Sequence, residues 1–586
     1  MTGTLPRPFA PDSTTTAAWS AVIDGTRARW PATIAFVEPP EANQANIGFV
    51  AHVPAGTGAL ERCEAICLDI DDVPYEIGFS PHYRHRARAE LLTDVVTRLR
   101  RHGRDNAGTS AMLALLEEQL GATRPHMPSA TPAEQAPAVT LQEVLVGIDE
   151  TIVCPGNAIV IRGWMLGEAR NLTRLMLRCG ERSTPIDLAT SVRFKRPELL
   201  ASDGRNDRWV PADCGFMAFL PDAFRDGMPL SLEAWPTHGS MQHLALKRST
   251  RDARSAIELI LGIREFEYGD IDRAFDQTIG PALFALHEAV RAEVVSIRRL
   301  DFGTACASPS HTLVIPLYGR IDFIEYQMAL LSADPVKETL EIIYVLDDPR
   351  FADSIARLAT SVYARLGIAF TVLVCDRNTG FARASNQGLA VARAPHVCFM
   401  NSDVFPLQVG WLDRLSTSLR KTAGCGAIGP RLLYEDGSVQ HDGCAYQAIP
   451  EYGDWQFVDH PGKGLRPTRP TGVVTHPAIT GACMLMTRDL ALQLNGFDER
   501  YLVGDFEDSD LCRRMEVAGR TCGVDTRVTA MHAERQSQAS AETLERRNLT
   551  LYNAWLHQRR WFGTPGAKPG TNAVAAPAAK RTRART

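Results

Sequence analysis

The chain has 586 residues, 45% of them apolar and 22% charged, with a formal net charge of −5. A chain of this length exceeds what one core supports, so several domains are expected. The mild acidic balance speaks against a duplex nucleic-acid partner, and no run of about 18 uncharged apolar residues is available to cross a bilayer.

Thirteen cysteines are irregularly spaced with no C-x-x-C, which suggests a reducing compartment and a cytoplasmic location. The start, Met1-Thr2-Gly3-Thr4-Leu5-Pro6, has no apolar signal core. Any membrane contact is expected to be peripheral, at the inner face, with residues 566–586 read as a disordered basic tail.

Residues 1–125 read as an abbreviated β module followed by a helical segment. Gly48-Phe49-x-Ala51-x-x-Pro54 and Gly215-Phe216-x-Ala218-x-x-Pro221 share a pattern, which points to duplicated modules. Residues 126–140 form a Pro/Ala-rich linker. Short apolar runs punctuated by Gly, Pro, Asp and Asn make 141–250 a β-sandwich, with Trp164 and Trp235 read as core residues rather than a sugar-stacking platform. Residues 251–307 read as helical.

From residue 308 to 565 the grammar changes. The apolar runs 312–316, 340–346, 370–374 and 397–400 alternate with helical patterns at 323–331, 354–366 and 382–394. That alternation implies βαβ units and a mostly parallel, Rossmann-like sheet. Ligands of such sheets sit beyond the carboxyl ends of the strands, which gathers 316–318, 347–348, 378–386 and 401–403 around one crevice.

Asp347 and Asp348 end the second strand. A carboxylate there can accept from a nucleobase amide or a ribose hydroxyl, or simply cap a turn before Pro349. In Asn378-Thr379-Gly380-Phe381, Gly380 lets backbone approach a ligand and the helix start offers N–H groups to a phosphate. Arg383 and Asn386, one turn apart, can both face the crevice; alternatively Asn386 is satisfied by a neighbouring loop. Asn401-Ser402-Asp403 follows the fourth strand, where Asp403 suits Mg²⁺ or Mn²⁺ bridging a diphosphate. Glu507-Asp508-Ser509-Asp510 opens a helix; acids there suit the helix dipole, or one of them is a general base. His532, isolated in sequence, is a weaker candidate ligand.

Together these motifs resemble family 2 glycosyltransferases of the GT-A fold, close to the rhamnosyltransferase-like branch, over roughly 310–563. The matching residues are Val314-Ile315-Pro316-Leu317-Tyr318, Leu346-Asp347-Asp348, Asn378-x-Gly380-Phe381-Ala382, Asn386-x-Gly388 and Asn401-Ser402-Asp403. Thr480-Gly481-Ala482, Gly496-Phe497-Asp498-Glu499 and Phe506-Glu507-Asp508 complete the set. The resemblance implies that Asp348 holds the base, Asp403 and His532 the metal, and Thr480 and Gly481 the acceptor side. Asp508, with Glu507, is then the catalytic base. It also implies an inverting, metal-dependent transfer from a nucleotide-diphosphate sugar to a glycan or lipid-linked glycan, in cell-surface polysaccharide or lipopolysaccharide assembly. Two departures stand out: Asn401 replaces an acid of the D-x-D pattern, and Gln558-Arg559-Arg560-Trp561 is one residue short of the processive Q-x-x-R-W. The first keeps open a degenerate glycan-binding or assembly protein. A nucleotidyltransferase, the other alternative, calls for a Gly- and Lys-rich first loop, where this chain has Pro316-Leu317-Tyr318-Gly319-Arg320. The β modules are open to glycan binding, homo-oligomerisation or spacing.

Overall fold

The structure, a computed structural model, describes seven strands within residues 2–77, and residues 144–563 except 168–170, 197–198, 200–212, 264–270, 470 and 534–543. The expected helices at 89–120, the linker at 126–140 and the tail at 566–586 lie outside the described residues. The chain divides into two compact units, Met1–Ala138 and Val139–Thr586.

In the first unit, strands β1 (Thr2–Pro6), β2 (Ala17–Ile23), β3 (Thr26–Pro31), β4 (Thr33–Val37), β5 (Asn46–His52), β6 (Cys63–Ile70) and β7 (Val73–Ile77) form two sheets ordered β1-β5-β4 and β3-β2-β6-β7. The second unit opens with β8 (Leu145–Cys154), β9 (Ala158–Leu166), β10 (Leu172–Cys179), β11 (Arg182–Pro185), β12 (Val192–Phe194), β13 (Gly215–Leu220), β14 (Leu230–Pro236) and β15 (Gln242–Leu246). Their sheets run β12-β13-β9-β8 and β11-β10-β14-β15. The strands carrying the shared Gly-Phe pattern, β5 and β13, each lie between two partners, β1 and β4 in one case and β9 and β12 in the other, and the other sheets correspond strand for strand. Among the described residues the first set differs by having no counterpart of β8.

Strand alternation explains how the sandwich of the second unit is held. Ile159, Ile161, Phe216 and Ala218 point inward onto Leu175, Leu177, Leu232 and Ala234. Their neighbours Ala158, Val160 and Met217 point the other way, into a second core. That second core also takes α1 (Ala253–Leu261), capped by Asp252 accepting from Ser255 N at 2.8 Å, and α2 (Gly280–Ala292). Trp235 departs from the core expectation: it is 36% exposed with the Arg174 guanidinium 4.8 Å above its ring. It is the next-to-last residue of β14, an inner strand paired with β10 and β15.

The remainder is one large sheet with flanking helices, together with a separate two-stranded antiparallel ribbon. Its elements are β16 (Ile297–Phe302), β17 (His311–Leu317), α3 (Phe323–Ser332), β18 (Leu340–Leu346), α4 (Ser354–Leu366), β19 (Phe370–Cys375), α5 (Phe381–Val391), β20 (His396–Met400), β21 (Val404–Pro406) and α6 (Trp411–Lys421). They continue with β22 (Cys425–Leu433), β23 (Val439–His441), β24 (Ala445–Ile449), β25 (Trp455–Asp459), β26 (Val473–His476), β27 (Cys483–Thr487), α7 (Arg488–Gln493), α8 (Glu507–Val517), β28 (Thr521–His532) and α9 (Leu544–Trp561). The path is β16-β19-β18-β17-β20-β27-β22-β28-β21. The half β19-β18-β17-β20 is parallel throughout, whereas beyond β20 the sheet is mixed. Its buried β-branched and leucine runs suit a sheet covered on both faces. Residues 297–302, placed in the helical segment by sequence, instead form the antiparallel edge β16; its exposed Arg298 and Arg299 suit an edge that must not pair further.

Candidate active site

The strand ends of β17, β18 and β20 do converge, and the loops beyond them touch. On one side, Asp347 is buried and its two oxygens accept from Thr379 N (2.7 Å), Thr379 Oγ1 (2.6 Å) and Gly380 N (2.8 Å). Burial raises its pKa to about 6 despite these donors. Asp348 is also buried. It accepts from Gly319 N at 3.1 Å and from the Arg350 guanidinium at 2.8 and 2.6 Å. It also caps the turn Pro349–Phe351. Arg350 holds the Asp348 carboxyl below its ordinary range. Gly380 has φ +83°, the left-handed region that glycine alone enters freely.

Several expectations are corrected here. Asp347 is not free for a base or ribose: it fastens the 378–381 loop. Nor does the start of α5 offer amides to a phosphate, because Gly380 N goes to Asp347 and Phe381 N donates to Val503 O at 2.8 Å. Asn378 accepts from Gly380 N through Oδ1 and from Arg254 through its carbonyl. Arg383 turns toward the end of α2, donating to the carbonyls of Arg291 and Glu293 at 3.1 Å each. Asn386 is consumed by the neighbouring loop, donating to Phe497 O (2.8 Å) and Glu499 Oε1 (3.0 Å) while accepting from Phe497 N (2.9 Å). Asn and Arg side chains at a helix start meet whichever carbonyls pack there first, and here these are protein.

The other side of the crevice is different. Asp403, buried beside buried Ser402, lies with Oδ1 3.3 Å from Nε2 of buried His532. Pairing of β21 with β28 sets Val404 opposite His532, so the sheet itself brings the two together. His532 Nδ1 lies 3.2 Å from Oε1 of buried Gln440. A carboxamide oxygen there takes an Nδ1 proton and leaves the Nε2 lone pair facing the Asp403 carboxylate. Two acceptors in such proximity fit a shared cation: a carboxylate oxygen plus an imidazole nitrogen is a suitable donor set for Mn²⁺ or Mg²⁺. Asn401 stands at the same turn, its N–H bonded to Ala482 O (2.9 Å) and its carbonyl to Gln327 (3.0 Å). Pro316 and Tyr318 close the β17 end, where Tyr318 is exposed beneath Arg350.

Asp508, on the first turn of α8, accepts from Gly481 N at 2.8 Å and Ser509 N at 2.7 Å. Burial raises its pKa nonetheless. Glu507 is buried beside it; burial and the Asp508 charge push its pKa well up. Its Oε2 makes no hydrogen bond among the described residues. The run 503–506 that delivers this pair carries left-handed Val503, Asp505 and Phe506, a costly backbone found where structure over-determines it. Here Asn553 of α9 grips Leu502 N, Leu502 O and Gly504 O at 2.9–3.0 Å. Arg546 and Thr550, also on α9, bind Asp505. Thr480 completes the rim, its N–H 3.3 Å from His441 Nε2.

A chain of contacts therefore links the two groups, from Asn401 N to Ala482 O and from Gly481 N to Asp508 Oδ2. Sequence reasoning missed Gln440, Gln327, Asn553 and His441. No local signal marks the first three, whereas His441-x-x-Cys444 was a readable short His/Cys spacing.

Residues 312–446, which hold the strands β17 to β20 and the first part of the site, match the family described as glycosyl transferase family 2. The O-antigen biosynthesis protein RfbC of Myxococcus xanthus is 26% identical over 272 residues, which is 44% of this chain and 20% of that protein. Uncharacterized protein y4gI of Sinorhizobium fredii (strain NBRC 101917 / NGR234) is 26% identical over 204 residues, 34% of this chain and 22% of that one. The chain thus spans about a fifth of the length of these relatives. Among solved structures, the Pyrobaculum calidifontis mannosyltransferase PcManGT with GDP-Man and Mn²⁺ is 14% identical, covering 52% of this chain and 84% of that one at a TM-score of 0.29. GalNAc-T7 with UDP, GalNAc and Mn²⁺ is 15% identical, covering 39% and 44% at 0.31. At such scores these likenesses carry no argument.

Proposed function

We propose that the chain is an inverting, non-processive glycosyltransferase that moves a sugar from a nucleotide-diphosphate donor to a hydroxyl of a glycan or lipid-linked glycan, in cell-surface polysaccharide or lipopolysaccharide assembly. The observation that carries this is the Asp403–His532 pair, 3.3 Å apart and oriented by Gln440, in one crevice with Asp508. Asp403 and His532 would hold a divalent cation, which would supply positive charge to the departing diphosphate. Asp508, aimed by the amides of Gly481 and Ser509, takes the acceptor O–H proton. The freed oxygen forms its bond to the anomeric carbon as the carbon–diphosphate bond breaks on the opposite face. One base suffices, and no covalent intermediate is required. Glu507 lies beside Asp508, and burial together with the Asp508 charge pushes its carboxyl toward the neutral form, which lessens the repulsion between the two. Asp348 is the base-recognition group, reached by exchange of the exposed Arg350 for a nucleobase N–H.

Asp347, Arg383 and Asn386 enter this mechanism as positioning residues only. Among the described residues no helix is long and apolar enough to cross a membrane. The test is release of nucleoside diphosphate from a panel of nucleotide sugars, with Mn²⁺ and with chelator. Chelator-sensitive turnover that disappears in Asp403→Asn is expected; turnover equal in chelator, or undiminished in that variant, overturns the reading.

A further inference from the structure

A second set of ligating atoms lies in the same domain and plays no part in the mechanism above. His441 ends β23 and is buried; Cys444, three residues on, is buried; His460 directly follows β25. Their Nδ1, Sγ and imidazole nitrogen atoms all lie within 4.8 Å of one another. His441 Nδ1 is 3.0 Å from His460 Nδ1 and 3.9 Å from Cys444 Sγ.

The chain folds this way for local reasons. Gly443, at φ +102°, turns the backbone between His441 and Cys444, and the His476 ring occupies the space a Cβ would need. Cys444 N is then fixed to Ala478 O at 2.9 Å. Strand β24 begins at the next residue, and the register Ala445↔Asp459 sets Cys444 and His460 across from each other at the open end of the β24–β25 ribbon. The three donors therefore close a two-stranded ribbon, an element only marginally stable alone, and tie it to β23.

We propose that His441, Cys444 and His460 form a binding site for a thiophilic divalent cation of the zinc type, which staples the β24–β25 ribbon to the sheet. Tetrahedral zinc, with bonds of about 2.0–2.1 Å to nitrogen and about 2.3 Å to sulfur, separates its ligands by roughly 3.3 Å (N···N) and roughly 3.6 Å (N···S). The observed N···N distance of 3.0 Å is slightly shorter and the N···S distance of 3.9 Å slightly longer than those values, each within about 0.3 Å. A neutral imidazole pair with a thiol selects zinc over magnesium or calcium, which separates this set from the oxygen-bearing Asp403 pair. Burial and the neighbouring His460 lower the His441 pKa well below its ordinary value, in the direction of the neutral form that ligation needs. The cation replaces the proton between the two Nδ1 atoms, draws the proton from Cys444, and leaves His441 protonated at Nε2. That exchange gives up the Thr480 N–His441 Nε2 contact, at 3.3 Å a long hydrogen bond. The fourth position is open to water. The ribbon held in this way is a wall of the crevice: Tyr446 Oη bonds Ser509 Oγ at 2.8 Å, one residue from Asp508.

The experiment is titration of the chelator-stripped full chain with Co²⁺, read by absorption and by thermal unfolding. One equivalent is expected to produce a thiolate-to-cobalt charge-transfer band, bleached by Zn²⁺ and accompanied by a rise in Tm. Cys444→Ser loses the band, and His460→Gln weakens cobalt binding by at least the ~10–100-fold that changes around a metal ligand cost. Asp403→Asn keeps both, so the outcome stands apart from the donor-site reading. A wild-type spectrum without the band, or a band that persists in Cys444→Ser, overturns the proposal. Should Cys444→Ser fail to fold, His460→Gln decides: unaltered cobalt affinity overturns it equally.

Discussion

The two sides of the crevice hold similar kinds of residue and use them in opposite ways. On the donor-loop side, Asp347, Arg383 and Asn386 are each surrounded by protein donors or carbonyls and fully engaged. On the other side, Asp403, His532 and Glu507 are buried with acceptor atoms facing one another or facing nothing. A buried polar group without a partner costs free energy of about 1–3 kcal/mol, so a fold retains it where a ligand completes it. Hydrogen-bond accounting thus sets Asp347, Arg383 and Asn386 apart from Asp403, His532 and Glu507; Asp508, which accepts from Gly481 N and Ser509 N, is assigned to the chemistry by its place beside Glu507 and the 480–481 rim rather than by a missing partner.

The sharpest way to break that contrast is Asp508→Asn. Turnover at saturating donor and acceptor is expected to fall by ~10²–10⁴-fold, the range for removing a general base, with the fold unchanged by circular dichroism. Next, Gln440→Ala releases the His532 ring and should weaken divalent-cation activation by ~10–100-fold, measured as the shift in Mn²⁺ concentration for half-maximal rate. On the opposite wall, Asn386→Ala should cost ~1–3 kcal/mol of stability, read from urea unfolding, while kcat of the folded fraction changes by less than the Gln440 variant's. If Asn386→Ala instead abolishes turnover with stability intact, the division between wall and chemistry is wrong. The smallest effect is on pH. Burial raises the Asp508 pKa, so the protonated, inactive form persists to higher pH. The rate should climb with pH through a value above the ordinary carboxylate range of about 4, and that limb should be missing from the Asp508→Asn residual rate.

The alternation of apolar runs with helical patterns was legible because it is local: β17, β18, β19 and β20 lie where runs of β-branched residues meet turn residues. The carboxylates at their ends were legible for the same reason. What each carboxylate does was not. Asn386 meets Phe497 across 111 positions, and Asp347 meets Thr379 across 32; no window of sequence contains both partners. The edge strand β16 was lost among helices because its partner among the described residues is β19, far along the chain.

Composition, periodicity and strand-end chemistry by themselves determined an α/β sheet with a row of acids along one edge, since each depends on residues a few positions apart. Only the tertiary structure decided which of those acids remain open, that His532 faces Asp403, and that His441, Cys444 and His460 share one point. Those outcomes depend on strand register and on long-range packing, and it is packing that determines whether a polar atom finds a partner within the protein or is left to find one outside it.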